Sequence, residues 1–290
     1  MVQVKNIDIF TPLVDEPEIM GEIAACNVTN DIFALNVPQI SGMLVFLAIN
    51  KNTPNDVSEG ILKGVKRFME QKIDSKIVGG HTIYSEWPLI GGEASGIINK
   101  NDLIRKYGVK NGDKLILTKP IGIQAIMAAY RILKDTPELL SEFSVSEIKS
   151  SIKLAVNLMT TSNQSVVKAI YTYDDFSFVH AMTDVTGFGL SGHLKEMLQF
   201  SGLSASIETI PSIKHSKILS EEFGYSFNDC LCTETAGGML LAIDPSKIED
   251  FSNTLSSQGI SNWIVGTIEK KEAGLVRISK EVEQIEISKL

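Results

Sequence analysis

Asp184 closes a short apolar run, Phe176-Ser177-Phe178-Val179-His180-Ala181-Met182-Thr183, and precedes Val185-Thr186-Gly187-Phe188-Gly189-Leu190-Ser191-Gly192-His193-Leu194. The run reads as a buried strand, and Leu190, Leu194, Met197 and Leu198 recur at helical spacing. A carboxylate at the end of a strand, ahead of a Gly-rich turn and the first N–H groups of a helix, suits a metal-bound polyphosphate. The N–H groups favour anions, and the hard oxygen holds Mg²⁺ against phosphate. The same pattern taken alone also describes a tight turn with an N-cap.

Similar residues recur in the first third of the chain. Asp8 follows an apolar strand and precedes Thr11-Pro12, so it reads either as a metal-phosphate contact or as part of an ordinary turn. Asp31 falls near the end of a helix expected over Pro17–Phe33, where the macrodipole disfavours an anion unless a cation compensates. Asn27 lies one helical turn earlier and shares its face. Gly79 and Gly80 are expected to end a strand, where a bare backbone approaches a phosphate or base closely. His81 then follows as a hydrogen-bonding group. Lys119 before Pro120 is expected to be a solvated strand-end lysine, His193 to pack behind the Asp184 turn, and Gly237-Gly238 to form a tight turn. Cys26 lies in an apolar helical run and reads as a packed thiol. Cys230 and Cys232 have no second cysteine pair, so burial is expected rather than metal binding.

These groups need elements to position them. The first part reads as strand Val2–Asp8, helix Pro17–Phe33, strand Gln39–Asn50, helix Asp56–Gln71 and strands Lys76–Ile83 and Leu89–Asn99. A charged, turn-bearing stretch from Lys100 to Asp113 separates it from an apolar strand, 114–120, that Pro120 ends. Helices are then expected near 122–134, twice between 144 and 171, and near 190–201, 213–222 and 246–257. Strands are expected near 178–184, 205–210, 239–243, 263–268 and 275–279. This interleaving predicts α/β (α+β) layers in two domains, residues 1–105 and 106–290.

With 290 residues and a net charge of −8, the chain can bury a sizeable core but lacks the clustered cations of a broad nucleic-acid surface. No apolar run approaches the roughly 20 residues needed to span a bilayer, so no membrane partner is expected. Three cysteines, with no basic and apolar leader, suggest a reducing cytoplasm.

Taken together, the Asp8, Asp31, Gly79-Gly80-His81-Thr82 and Thr183–His193 segments resemble the selenophosphate synthetases, or selenide, water dikinases. So do Gly112-Asp113-Lys114-Leu115-Ile116-Leu117-Thr118-Lys119-Pro120-Ile121-Gly122 and Glu234-Thr235-Ala236-Gly237-Gly238-Met239. These enzymes form a branch of the aminoimidazole-ribonucleotide-synthetase-like family of ATP-dependent enzymes. The resemblance runs in order from about Val4 to about Ile268, and the TDVTGFG-x-x-GH string points to this branch.

It implies a two-domain fold whose amino-terminal domain binds ATP and pairs strands across a homodimer, with a carboxy-terminal α/β sandwich. It implies ATP and Mg²⁺ as cofactors and selenide or a similar small inorganic acceptor as partner. It places Asp8, Asn27, Asp31, Gly79, Gly80 and His81 at the nucleotide, and Asp31 and Asp184 at metal. The glycine–histidine turn would contact ATP bound mainly by the neighbouring subunit.

The family also carries, upstream of the equivalent of Asp8, a Gly-rich segment with a reactive Cys or selenocysteine, a Lys and an Asp-Asp-Ala turn. This sequence starts at Met1, within the second strand of that pattern, so the catalytic nucleophile is left unassigned. Two readings follow: an ATP-dependent phosphotransferase, or a catalytically silent or substrate-diverged dimeric relative that binds nucleotide as a regulatory module.

Overall fold

Strict alternation governs the first element of the computed structural model, which describes residues 1–290. In β1 (Val2–Phe10) half-buried and exposed residues alternate along the whole strand, because only one face of its sheet is covered. The cover is α1 (Pro17–Phe33), which has Pro17 at its first turn and packs on β1 and on β4 (Leu89–Ile98). Between them in sequence lie β2 (Ile40–Ile49), α2 (Asn55–Arg67) and β3 (Ile77–Tyr84). The sheet runs in the order β1-β4-β2-β3, antiparallel except for the β2–β3 pair.

The face away from α1 is exposed and apolar: Ile7, Ile9, Leu44, Ile83 and Ile97 all show more than a third of their surface. The helix side is closed by unusually close helix packing. A Cβ at Gly21 would overlap the Ile61 carbonyl oxygen, and one at Gly64 would overlap the Glu18 carbonyl oxygen, so α1 and α2 touch through their backbones. A single π-turn, Phe68–Lys72, follows α2 and buries Phe68 and Met69. Its Lys72 joins Arg67 in pairing with the buried Glu22 of α1.

This first unit comprises Met1–Leu103 together with Met159–Lys168. The later segment is tied in by buried polar contacts. The Asn163 amide donates to the Asn30 side chain at 3.1 Å, and Lys72 Nζ donates to the Thr160 carbonyl at 2.8 Å.

The second unit, Ile104–Leu158 with Ala169–Leu290, is built on a six-stranded sheet. Its elements in chain order are β5 (Lys114–Leu117), α3 (Ile123–Asp135), α4 (Val145–Met159), β6 (Val179–Asp184) and α6 (Gly189–Met197), while α5 (Gln164–Ile170) lies mostly in the segment that belongs to the first unit. There follow β7 (Ser204–Ile213), α7 (Ser216–Phe223), β8 (Met239–Ile243), α8 (Ile248–Ser257), β9 (Trp263–Glu269) and β10 (Val276–Ile287). The strand order is β10-β7-β9-β5-β8-β6, with only β10 and β7 parallel. β8 is buried at every position, which explains its unbroken apolar run, and Leu240 and Ala242 pack with Leu190, Leu194 and Met197 of α6 in one core.

β10 extends well past the expected 275–279. It is an edge strand with a register shift between Ile278 and Glu283, and in its charged second half only the half-buried Val282, Ile285 and Ile287 give an apolar signal.

An added methyl on an exposed helical glycine gains about 1 kcal/mol of propensity. Gly64→Ala is expected to do the reverse and lower stability by about 2 kcal/mol, because α1 and α2 must separate. Chemical denaturation checks this; unchanged or higher stability contradicts the packing.

Candidate functional site

The first unit presents a carboxylate held by two amides. Asp8 lies on the helix-facing row of β1, where its Oδ2 accepts from Asn27 Nδ2 of α1 at 3.1 Å and from Asn6 Nδ2 at 3.3 Å. Asn6 also donates to the Val28 carbonyl at 3.1 Å, so strand and helix are joined at this point. Asp31 follows one turn after Asn27, half-buried, in a helix whose last turn holds no basic residue. The structure thus brings Asp8 and Asn27 together. Cys26 is fully buried, with its thiol on the Thr161 carbonyl.

Gly79, Gly80 and His81 do not end a strand. They lie in the middle of β3, an edge strand whose residues are exposed from Val78 to Tyr84, and the sheet register places them. Asp8, Gly92, Val45 and Gly80 form one row, while Ile9, Gly91, Phe46 and His81 form the next, so His81 points to the opposite face from Asp8. Three interstrand spacings, about 14 Å, also separate the two edges. A ligand lying on the Asp8 face has the sheet between it and the His81 side chain of the same protomer.

In the second unit Asp184 is the last residue of β6, buried and paired with Met239 of β8. The turn after it is fixed by backbone bonds. Val185 N donates to the Gly238 carbonyl at 2.9 Å, while Gly189 N and Glu234 N both donate to the Thr186 carbonyl at 3.0 Å. Ser191 N donates to the Cys230 carbonyl at 2.9 Å, so donors at the start of α6 that an anion was expected to use serve the protein itself.

Gly237 and Gly238 are required by proximity: a Cβ at either would overlap backbone of Val185 or Lys119. Lys119 departs from expectation. It is 4% exposed, and its ammonium donates to the Ala236 carbonyl at 2.6 Å and the Leu158 carbonyl at 3.0 Å, lying beneath the Asp184 turn rather than in solvent.

Glu234 had drawn no functional reading. It is fully buried and accepts from Gly122 N at 2.7 Å and Ile123 N at 2.9 Å, capping α3 where Gly122 adopts the left-handed φ of 113°. Burial pushes its pKa up to about 8, against the pull of the two N–H donors. Cys230 and Cys232 are buried free thiols, and burial pushes Cys230 up to about 12, so neither is poised as a thiolate.

No group of three or more His, Cys, Asp or Glu side chains converges as a ready metal cluster.

The family described as AIR synthase related protein, N-terminal domain, matches residues 2–98, and its C-terminal domain matches residues 110–278. Selenide, water dikinase of Methanococcus maripaludis is 38% identical over 99% of this chain and 86% of its own. The selenide, water dikinase of Methanocaldococcus jannaschii is 39% identical over 99% and 82%. The chain belongs to the selenide, water dikinase family of AIR synthase related proteins. Its fold is shared more widely. Thiamine monophosphate kinase from Aquifex aeolicus superposes with a TM-score of 0.71 at 18% identity, covering 98% of this chain and 89% of that one. Hydrogenase maturation protein HypE in complex with ATP gives 0.75 at 14% identity, covering 96% and 82%. At such identities these two show the fold alone.

Glu234 supplies a pH test. Its folded pKa of about 8 lies above the ordinary 4.5, so its contribution is complete below about pH 4.5 and is lost as pH rises through 8. Relative to Glu234→Gln, which has no proton to lose, the unsubstituted protein should lose a few kcal/mol of stability across that window. Parallel profiles in denaturation at pH 5 to 9 contradict the assignment.

Proposed function

We propose that the protein is an ATP-dependent phosphotransferase that converts ATP, selenide and water to selenophosphate, AMP and phosphate. The observation that carries this reading is family membership at 38–39% identity along nearly the whole chain with relatives named for that activity. Asp8, Asn27, Asp31 and Asp184 are the oxygen ligands we assign to Mg-ATP, Asp31 and Asp184 to the metal itself. Gly79, Gly80 and His81 are assigned to nucleotide contact. The cation would neutralise the phosphate charge as the anhydrides break. The chain's own part is to hold these oxygens still, and the two amides on Asp8 serve that end in the first unit.

A homodimer goes with this assignment. Asp8 and His81 point to opposite faces of one sheet, so for both to serve one nucleotide His81 must come from a second copy. The edge strand β3, exposed from Val78 to Tyr84, is the element we assign to the pairing of strands across the dimer. Three buried free thiols fit a reducing cytoplasm, and no helix is long and apolar enough to cross a membrane.

Calorimetry is expected to show ATP binding that depends on Mg²⁺, and Asp184→Asn is expected to lower selenide-dependent AMP release by about 100-fold. Absence of Mg-dependent binding would remove the reading. Binding without AMP release would favour the silent relative instead.

A further inference from the structure

The buried histidine behind the Asp184 turn sits between a hydroxyl and a carboxylate. His193 Nε2 lies 3.2 Å from Thr186 Oγ1, and Nδ1 lies 3.3 Å from Glu196 Oε2, in contact though outside straight hydrogen-bond alignment. Phe188 packs against the imidazole at 5.4 Å between ring centroids, closing the turn over it. Glu196 is held from its other oxygen by Lys106 Nζ at 2.8 Å. Burial pulls the pKa of His193 below its ordinary 6.5, the nearby Glu196 opposes that, and Lys106 adds to it. Glu196 and Lys106 are the charged groups that bear on this ring.

A neutral imidazole has one N–H and one lone pair. A carboxylate only accepts, so the N–H belongs on Nδ1 toward Glu196 and the lone pair on Nε2 toward Thr186. The Thr186 hydroxyl proton is then committed to His193, and the lone pairs left on its oxygen can only accept. An oxygen in that state suits a water molecule and repels an anionic phosphate oxygen.

We propose that His193 is a positioning residue that orients Thr186 to hold the water consumed in phosphotransfer and to pass a proton from that water to the imidazole. The proposal rests on the phosphotransferase reading above. As the water oxygen bonds to phosphorus, the anhydride P–O bond breaks and its electron pair leaves on the departing AMP. One water proton moves to Thr186 Oγ1 while the Thr186 proton moves to His193 Nε2, and Glu196 stabilises the imidazolium. Thr186 is the residue that touches the reacting water; His193 and Glu196 act through it.

Two readouts test this. Long-range nitrogen–proton NMR of the full chain should show His193 as the neutral Nδ1–H tautomer at pH 7; the Nε2–H tautomer or an imidazolium overturns the proposal. In AMP release, His193→Gln and Thr186→Val should each lower kcat by about 100-fold with KM for ATP little changed. Both should lose the acid limb that the unsubstituted enzyme shows below pH 6.5, and Thr186→Ser should restore most of the rate. Should His193→Gln fail to fold, the Thr186 pair decides. Variants with unchanged rate and pH profile, in a protein that binds Mg-ATP and turns over, overturn this proposal alone. Failure of the unsubstituted protein to bind Mg-ATP removes the parent reading and this one together.

Discussion

Backbone contact between α1 and α2 is the constraint on which the first unit depends. Gly21 and Gly64 let the two helices meet without intervening side chains, and that fixes how deeply α1 sits on β1 and β4. Asn27 reaches Asp8 at 3.1 Å only from that depth, and a hydrogen bond tolerates a displacement of a few tenths of an ångström before it weakens. The crossing is reinforced where Glu22, buried in α1, meets Arg67 of α2 and Lys72 of the π-turn. A buried carboxylate left without those cations would be costly, so the contact also fixes the register of one helix on the other.

The second unit reaches the same end with other means. Gly237 and Gly238 allow one loop to lie against Val185 and Lys119, and two buried ionisable side chains, Lys119 and Glu234, then hold that loop. Lys119 donates to its Ala236 carbonyl, while Glu234 turns away to cap α3. Asp184 therefore ends β6 within a frame of backbone bonds rather than at the tip of a free turn. The proton balance of Glu234 makes that frame sensitive to pH, whereas the buried thiols of Cys230 and Cys232, their pKa values raised by burial, contribute bulk.

Much of this was legible in the sequence, for identifiable reasons. α1 and β8 announce themselves through a leading proline and an unbroken apolar run, and the helical recurrence from Leu190 to Leu198 is the core-facing stripe of α6. Asp8, Asn27 and Asp184 stood out through the resemblance, since alone each also fits an ordinary turn or packing role.

What escaped the sequence depends on distant partners. Gly79 and Gly80 read as ending a strand even though a strand was expected over Lys76–Ile83, and the structure sides with the longer element: the edge strand continues through them to Tyr84. Lys119 read as solvated because nothing local indicates that the Ala236 and Leu158 carbonyls will meet it. The return of residues 159–168 to the first unit, through Asn163 and Thr160, has no local signature at all. In the proposed account His81 and Asp8 serve one nucleotide from two copies of the chain, and mixing complementary variants tests that claim most directly. Asp8→Asn and His81→Ala, each inactive alone, should regain about a quarter of the selenide-dependent AMP release when mixed and allowed to exchange, because half the dimers then carry one intact site of two. No recovery in demonstrably mixed dimers, or full activity of His81→Ala by itself, would contradict it.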